Sequence, residues 1–147
     1  MADDERRLRI ALADDAVLLR EALAGSLTAA GFTVVGQAGD VDELLALLGA
    51  SDADVVVLDV RMPPTHTTEG LEAAHRIRRE HPGMAILLLS QYIETRYAVE
   101  LLRDDPTGIG YLLKDRVTRI DDLADAVRRV AAGGSVIDPA SMPDSVR

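Results

Sequence analysis

The sequence predicts an α/β fold, (βα)5, in which five strands and five helices alternate around a doubly wound parallel sheet. Two observations predict this fold. Five short apolar runs are rich in Val, Ile and Leu, and the stretches between them repeat apolar residues at helical spacing. Because parallel strands must be joined by a crossover, such alternation is typical of a parallel sheet. The third run, Val55–Leu58, is apolar throughout, which indicates a strand covered on both faces.

The predicted elements follow one another from residue 8 to residue 132. Leu19, Leu23 and Leu27 show the helical spacing in the first helix, and Gly31 follows it as a residue that readily ends a helix. The strands are predicted at 8–13, 32–35, 55–58, 85–89 and 109–113. The helices are predicted at 16–30, 41–49, 68–81, 94–103 and 117–132.

The chain of 147 residues has room for one compact domain, which we assign to residues 1–134. After Gly134 the composition changes to Ser, Pro and Asp, so residues 135–147 are predicted to be a linker or tail. The net charge of −9 argues against direct binding to nucleic acid or anionic lipid. Cys is absent, which excludes disulfides and thiolate metal sites. Neither a signal peptide nor a membrane-spanning run is visible, and we expect a cytoplasmic protein without membrane contact.

Polar residues close four of the five apolar runs: Asp14-Asp15, Asp59, Ser90 and Lys114. In open parallel sheets, ligands bind at the carboxyl ends of the strands, near the point where the strand order reverses. We predict the flavodoxin-like strand order 2-1-3-4-5, in which the first and third strands are neighbours. This order would bring the Asp14-Asp15 pair beside Asp59.

Three adjacent carboxylates repel one another unless a cation neutralises them. Oxygen ligands, with no Cys in the chain and no His nearby in the sequence, favour Mg²⁺, which keeps coordination positions for waters or phosphate oxygens. An Asp carboxylate can attack phosphorus to form an acyl phosphate, and Asp59 is the predicted nucleophile. Lys114, the only lysine in the chain, is predicted to make a point contact with one carboxylate or phosphoryl oxygen. The Ser90 hydroxyl is predicted to donate to a phosphoryl oxygen.

These residues lie in motifs that resemble a bacterial response regulator receiver domain over roughly residues 8 to 138. The motifs are Ala11-Leu12-Ala13-Asp14-Asp15 with Leu18, Arg20 and Glu21 behind it, Leu58-Asp59-Val60-Arg61-Met62-Pro63, Leu88-Leu89-Ser90 and Gly110-Tyr111-Leu112-Leu113-Lys114-Asp115. The last motif and Ser135-Val136-Ile137-Asp138-Pro139 resemble the NarL/LuxR-type subfamily.

The resemblance implies a phosphoacceptor switch of a two-component system rather than an enzyme, one that at most catalyses its own phosphotransfer and dephosphorylation. Asp59 would take a phosphoryl group from a phosphohistidine on a sensor histidine kinase. With Asp59, Asp15 would bind Mg²⁺ directly and Asp14 through water, and the Arg61 backbone carbonyl would complete the protein ligands. No other cofactor is implied.

The resemblance also assigns the switch. Ser90 would be the switch hydroxyl, Tyr111 the aromatic that moves with it, and Lys114 the invariant cation. They would report phosphorylation to the face formed by the fourth predicted helix, the fifth strand and the fifth predicted helix. Control of transcription would need a helix-turn-helix DNA-binding domain, which this chain does not contain, and a homodimer is possible for such a protein.

The loop from Pro63 to Gly70 is longer than is usual in receivers and contains His66 and three Thr. We expect His66, His75 and His81 to be solvated and without a role. Two alternative functions remain at this point: a phosphorylation-independent receiver that serves only as an interaction module, and a phosphohydrolase of the haloacid dehalogenase type. The second needs another Asp two residues after the nucleophile, where this chain has Arg61.

Overall fold

The fold is described by a computed structural model, which covers residues 7–91, 107–115 and 119–137. The strands are β1 (Arg9–Ala13), β2 (Thr33–Ala38), β3 (Val55–Asp59), β4 (Ala85–Ser90), β5 (Ile109–Leu113) and β6 (Val136–Ile137). The helices are α1 (Val17–Ala29), α2 (Val41–Ala50), α3 (Glu69–Glu80) and α4 (Ile120–Ala131). The helix predicted at 94–103 lies outside the described residues, so α4 is the fifth predicted helix.

All strands pair in parallel in one sheet of order β2-β1-β3-β4-β5-β6. The first five positions confirm the predicted order 2-1-3-4-5 and the flavodoxin-like α/β fold. β1 and β3 are neighbours, and Ala13 pairs with Leu58 at their carboxyl ends. Asp14, which follows β1, and Asp59, which ends β3, therefore lie at the same edge of the sheet.

The core has two layers, one on each face of the sheet. Val56 and Leu58 of β3 point into the layer that includes α2 and α3, whereas Val55 and Val57 point into the layer with α1 and α4. All four side chains are fully buried, as predicted for a strand covered on both faces. No helix within the described ranges is both long enough and apolar enough to cross a bilayer.

The strand β6 was not predicted, because it lies in the segment interpreted as a linker or tail. Its backbone pairs with β5, with Gly110 opposite Val136 and Tyr111 opposite Ile137. A Cβ on Gly110 would lie 3.2 Å from the Val136 carbonyl oxygen and 2.7 Å from a Leu87 methyl carbon. Because Gly110 has no side chain, the β6 backbone and the Leu87 side chain can both lie close to β5. The remaining residues of the segment, 138–147, lie outside the described part of the chain, and the domain boundary stays a prediction.

The first turn of α3 lies directly against the end of β3. The Gly70 amide donates a hydrogen bond of 2.8 Å to the Val60 carbonyl. A Cβ on Gly70 would lie 1.8 Å from the carbonyl oxygen of Asp59, a contact that rigid backbone cannot relieve. Only glycine lets α3 pack this closely, so Gly70 fixes the backbone that carries Asp59.

We therefore expect Gly70→Ala to lower the free energy of unfolding by about 1 to 3 kcal/mol or more, because α3 must move away from β3. Gly49→Ala is the matched control, since Gly49 lies in α2 and a Cβ added there would meet no atom within 4 Å. Its extra helix propensity should leave stability unchanged or raise it by up to about 1 kcal/mol. Urea denaturation of both variants measures this difference, and equal stabilities would contradict the packing argument.

Candidate functional site

Side chains from the ends of β1, β3 and β5 meet at the carboxyl edge of the sheet. The Lys114 ammonium donates hydrogen bonds of 3.0 Å to Asp14 Oδ2 and of 3.0 Å to Asp59 Oδ2. Lys114 is 100 residues from Asp14 and 55 residues from Asp59 along the chain. The strand order brings these distant residues together, as the sequence predicted.

Both carboxylates are buried, with Asp14 1 % and Asp59 5 % exposed. Backbone amides orient the other oxygen of each group: Ala16 N donates to Asp14 Oδ1 at 2.9 Å, and Arg61 N donates to Asp59 Oδ1 at 3.2 Å. Every carboxylate oxygen of this buried pair thus has a donor. These hydrogen bonds offset the free-energy cost of burying the two charged groups.

Burial raises the pKa of Asp59 above its ordinary value, and the negative charge of Asp14 adds to this effect. The charge and hydrogen bond of Lys114 oppose it without cancelling it. For Lys114, burial lowers the pKa, but the hydrogen bond to Asp14 and the charges of Asp59 and Asp14 outweigh it, and the pKa is raised. One ammonium group is therefore held firmly charged between two carboxylates, and the site still has excess negative charge.

Asp15 adds a third carboxylate, which is exposed on the solvent side of the site. One carboxylate oxygen from each of Asp14, Asp15 and Asp59 lies within 4.8 Å of the other two. A set of oxygen donors with this excess of negative charge suits a hard divalent cation such as Mg²⁺. The residues present therefore fit the acidic Mg²⁺ pocket of receiver domains. The ligand role of the Arg61 carbonyl stays a prediction.

The two predicted switch residues lie on neighbouring strands. Ser90 is the last residue of β4, is 1 % exposed and pairs with Leu113, which directly precedes Lys114. Tyr111 pairs with Leu88 and is completely buried in the layer with α2 and α3. The structure thus places Ser90 beside the residue that precedes Lys114 and Tyr111 in the buried core, and the roles of both in switching stay predictions.

Arg20 is a positioning residue to which sequence reasoning gave no role. Its guanidinium donates through Nη1 to the Asp14 carbonyl at 2.7 Å and through Nε to Gln37 Oε1 at 3.1 Å. Since Arg20 belongs to α1 and Gln37 to β2, these bonds connect the residue after β1 to both α1 and β2. The one available signal was the position of Arg20 in the motif that follows Asp15.

His66 is half-exposed, as predicted for a solvated histidine, but it also contacts Asp15, which the sequence did not predict. Its side chain is 50 % exposed, yet Nε2 lies 2.6 Å from Asp15 Oδ2. The loop after β3 carries His66 across to the residue that follows β1, over a separation of 51 residues. The spacing of apolar residues along the sequence does not predict this contact, because the contact depends on the path of the loop.

The model of the response regulator receiver domain family matches residues 10–128, and the chain belongs to this family. Among curated relatives, the transcriptional regulatory protein YxjL of Bacillus subtilis is 37 % identical over 131 residues, covering 88 % of this chain and 57 % of YxjL. The transcriptional activator DevR/DosR of Mycobacterium tuberculosis is 33 % identical over 132 residues, covering 89 % of this chain and 58 % of that protein.

Solved structures agree with this assignment. The signal receiver domain of NarL from Mycobacterium tuberculosis superposes with a TM-score of 0.74 at 31 % identity, covering 87 % of this chain and 98 % of that domain. The isolated receiver domain of RcsB from Salmonella enterica, solved with a phosphomimetic, shares the fold with a TM-score of 0.77 at 23 % identity, covering 92 % of this chain and 96 % of that one. The relatives are NarL/LuxR-type response regulators, which confirms the subfamily resemblance. The chain spans 57 % and 58 % of the two curated relatives.

We expect Asp59→Asn to raise the free energy of unfolding at neutral pH, by about 1 kcal/mol or more, because it removes a buried charge while Lys114 keeps Asp14 as a partner. The raised pKa means that the folded protein binds the Asp59 proton more tightly than the unfolded chain, whose value is 3.8. The stabilisation that the protonated Asp59 side chain contributes is therefore fully present below pH 3.8. It is lost as the pH rises through the pKa of Asp59 in the folded protein.

The gain from Asp59→Asn should accordingly shrink as the pH is lowered, which urea denaturation across the acidic range measures. Asp52→Asn, at an exposed position, is the control and should change stability little at any pH. Destabilisation by Asp59→Asn at neutral pH would contradict this account of the site.

Glu69 should titrate far below an ordinary glutamate. Hydrogen bonds from the hydroxyl and amide of Thr65 and from the amide of Thr67 lower its pKa from 4.5 to about 2. The stabilisation from the ionised form is present above pH 4.5 and is lost as the pH falls towards 2. NMR titration of the Glu69 side-chain carboxyl carbon measures this pKa. Thr65→Val, which removes the largest contribution, should move it back towards 4.5, and an unchanged value would refute the assignment.

Proposed function

We propose that this receiver accepts a phosphoryl group on Asp59 from a phosphohistidine of a sensor histidine kinase, in the cytoplasm, and that it thereby controls transcription. The observation that carries the proposal is the double contact of Lys114 with Asp14 and Asp59 inside a cluster of three carboxylates. This arrangement combines a nucleophile, a fixed cation and a set of metal ligands. Membership of the receiver family supports it.

In the transfer, a carboxylate oxygen of Asp59 forms a bond to phosphorus, and the bond between phosphorus and the kinase imidazole nitrogen breaks. The imidazole leaves with its electron pair and takes a proton from solvent. When bound, Mg²⁺ supplies positive charge to the phosphoryl oxygens and to the surrounding carboxylates. Asp14, Asp15, Asp59 and the Arg61 carbonyl would hold it.

The protein residues prepare Asp59 for this reaction. The Arg61 amide and the Lys114 ammonium hold opposite oxygens of the carboxylate, so its orientation is fixed before the donor arrives. Once phosphorylated, the Asp59 oxygen bonded to phosphorus loses its charge, and Lys114 can donate to a phosphoryl oxygen instead. The Ser90 hydroxyl would donate to a second phosphoryl oxygen.

The added group carries a charge of roughly −1.5 to −2 and three acceptor oxygens. Ser90 closes β4, and Lys114 follows β5, so their movement towards those oxygens would displace the segments that follow each strand. Tyr111 on β5 would change position with Ser90. The output surface would then comprise the predicted helix at 94–103, β5 and α4.

A phosphorylated receiver of this kind would act together with other parts of a longer protein. The named relatives are transcriptional regulators, and RcsB is described as dimers bound to DNA. We extend this to the present chain as a proposal: DNA would be bound by a helix-turn-helix domain outside it, and phosphorylation would favour a homodimer. The receiver itself would catalyse only phosphotransfer to Asp59 and dephosphorylation of Asp59.

The competing functions differ in what they require at the site. An interaction module would not need Lys114 to be paired with buried carboxylates at all. A haloacid dehalogenase-type phosphohydrolase would need an acid two residues after Asp59, and Arg61 cannot supply one. Family membership and the geometry both favour the phosphoacceptor switch.

The test is incubation with acetyl phosphate and Mg²⁺, followed by intact-mass spectrometry. We expect a gain of one phosphoryl group in the native chain and in the control Asp52→Asn, and no gain in Asp59→Asn. Lys114→Met should reduce the rate of gain by roughly 100-fold or more, since it removes a preorganised cation at the reacting group. No gain with any small phosphodonor or kinase would support the interaction module, and steady hydrolysis of phosphate esters would support the hydrolase.

A further inference from the structure

We propose that β6 is a coupling strand: it pairs with β5 in the unphosphorylated chain and separates from β5 when Asp59 carries a phosphoryl group. The inference rests on the proposed function and deepens it, because it names a segment that the phosphorylated pocket would release. The carrying observation is that the main chain of β6 pairs with Gly110 and Tyr111 of β5, the strand that leads directly into Lys114.

The turn between α4 and β6 is held in place by the backbone. The Gly108 amide, just before β5, donates to the carbonyls of both Gly133 and Gly134, at 3.2 and 3.1 Å. Gly133 has a positive φ of 92°, which glycine adopts without steric cost. The Gly134 amide donates to the Arg129 carbonyl at 2.9 Å. The turn is therefore fixed to the start of β5 and to α4, and β6 begins beyond this fixed point.

The two edges of β5 are unequally paired. β4 pairs with every residue of β5, from Ile109 to Leu113, whereas β6 pairs with Gly110 and Tyr111. The Val136 side chain adds a partly buried contact with the layer that includes α1 and α4. Because main-chain hydrogen bonds form along the paired residues, β4 holds β5 more firmly than β6 does. A shift of β5 would therefore disrupt the pairing with β6 first.

The sheet order gives the direction of such a shift. Asp59 at the end of β3 and Asp14 after β1 lie on the side of β5 that faces away from β6. The Lys114 ammonium contacts both carboxylates at 3.0 Å. Movement of Lys114 and Ser90 towards a phosphoryl group on Asp59 would therefore draw the end of β5 away from β6. We expect weaker pairing of β6 in the phosphorylated state, not stronger pairing.

The simpler interpretation is that β6 only covers the edge of β5, whose backbone groups would otherwise be open to another chain. A static cover would keep its pairing whatever the state of Asp59. A coupling strand must respond to the state of the pocket. Because coupling between two sites is reciprocal, the pocket must also respond to the loss of β6.

The first experiment measures amide hydrogen exchange by NMR in the native full chain, with and without Mg²⁺ and beryllofluoride, which mimics a phosphoryl group. We expect the amides of Val136 and Ile137 to exchange about fivefold faster or more when beryllofluoride is bound. The amides of Leu44 and Leu48 in α2 are the control. They should exchange no faster, because a bound ligand slows exchange that requires global unfolding. Unchanged or slower exchange at β6 would overturn the proposal.

The second experiment tests the reciprocal effect with Val136→Pro, which removes a backbone N–H from β6. Its affinity for beryllofluoride, measured by fluorine NMR, should exceed that of the native chain by about fivefold. Val136→Thr keeps the amide and the β-branched shape, so this matched control should bind as the native chain does. Equal or weaker binding by folded Val136→Pro would contradict the coupling. If Val136→Pro does not fold, the exchange measurement on the native chain decides.

These measurements also separate this inference from the proposed function. If beryllofluoride binds the native chain but leaves β6 unaffected, the phosphoacceptor site stands and the coupling is wrong. If beryllofluoride does not bind the native chain, or binds Asp59→Asn equally well, the proposed function fails and this inference fails with it.

Discussion

The whole site depends on the neutralisation of two buried carboxylates by a single ammonium group. Asp14 follows β1, Asp59 ends the adjacent strand β3, and the two would repel one another in an apolar interior. Lys114 reaches both at 3.0 Å from the end of β5, two strands away from β3. The strand order, the burial of the strand ends and the length of the lysine side chain must all agree for this contact to form. A change in any of them would leave a charge without a partner.

Much of this could be predicted from the sequence because the strongest signals are local. Continuous apolar runs such as Val55–Leu58 identify strands, and the polar residue after each run identifies the edge of the sheet on which it lies. Once β1 and β3 are neighbours, the meeting of Asp14 with Asp59 follows from topology alone. Lys114 could be added because it also closes a run.

The features that could not be predicted depend on how chain segments pass one another. β6 has two residues, too few for any periodicity, and it forms because the chain after α4 turns back alongside β5. The contact of His66 with Asp15 depends on the path of a loop held by Glu69. The need for glycine at position 70 arises from a close approach to the Asp59 carbonyl, which a one-dimensional pattern does not encode.

The unique lysine has a chemical consequence beyond charge balance. Apart from the chain's amino terminus, Lys114 carries the only primary amine in the sequence. Acylating reagents attack the uncharged amine, and the two carboxylates that hold Lys114 also keep it protonated, because they raise its pKa. The resting protein should thus be almost inert towards such reagents at internal positions. Anything that draws Asp14 or Asp59 away from the ammonium would expose a single acylation site, and labelling there would report directly on the state of the pocket.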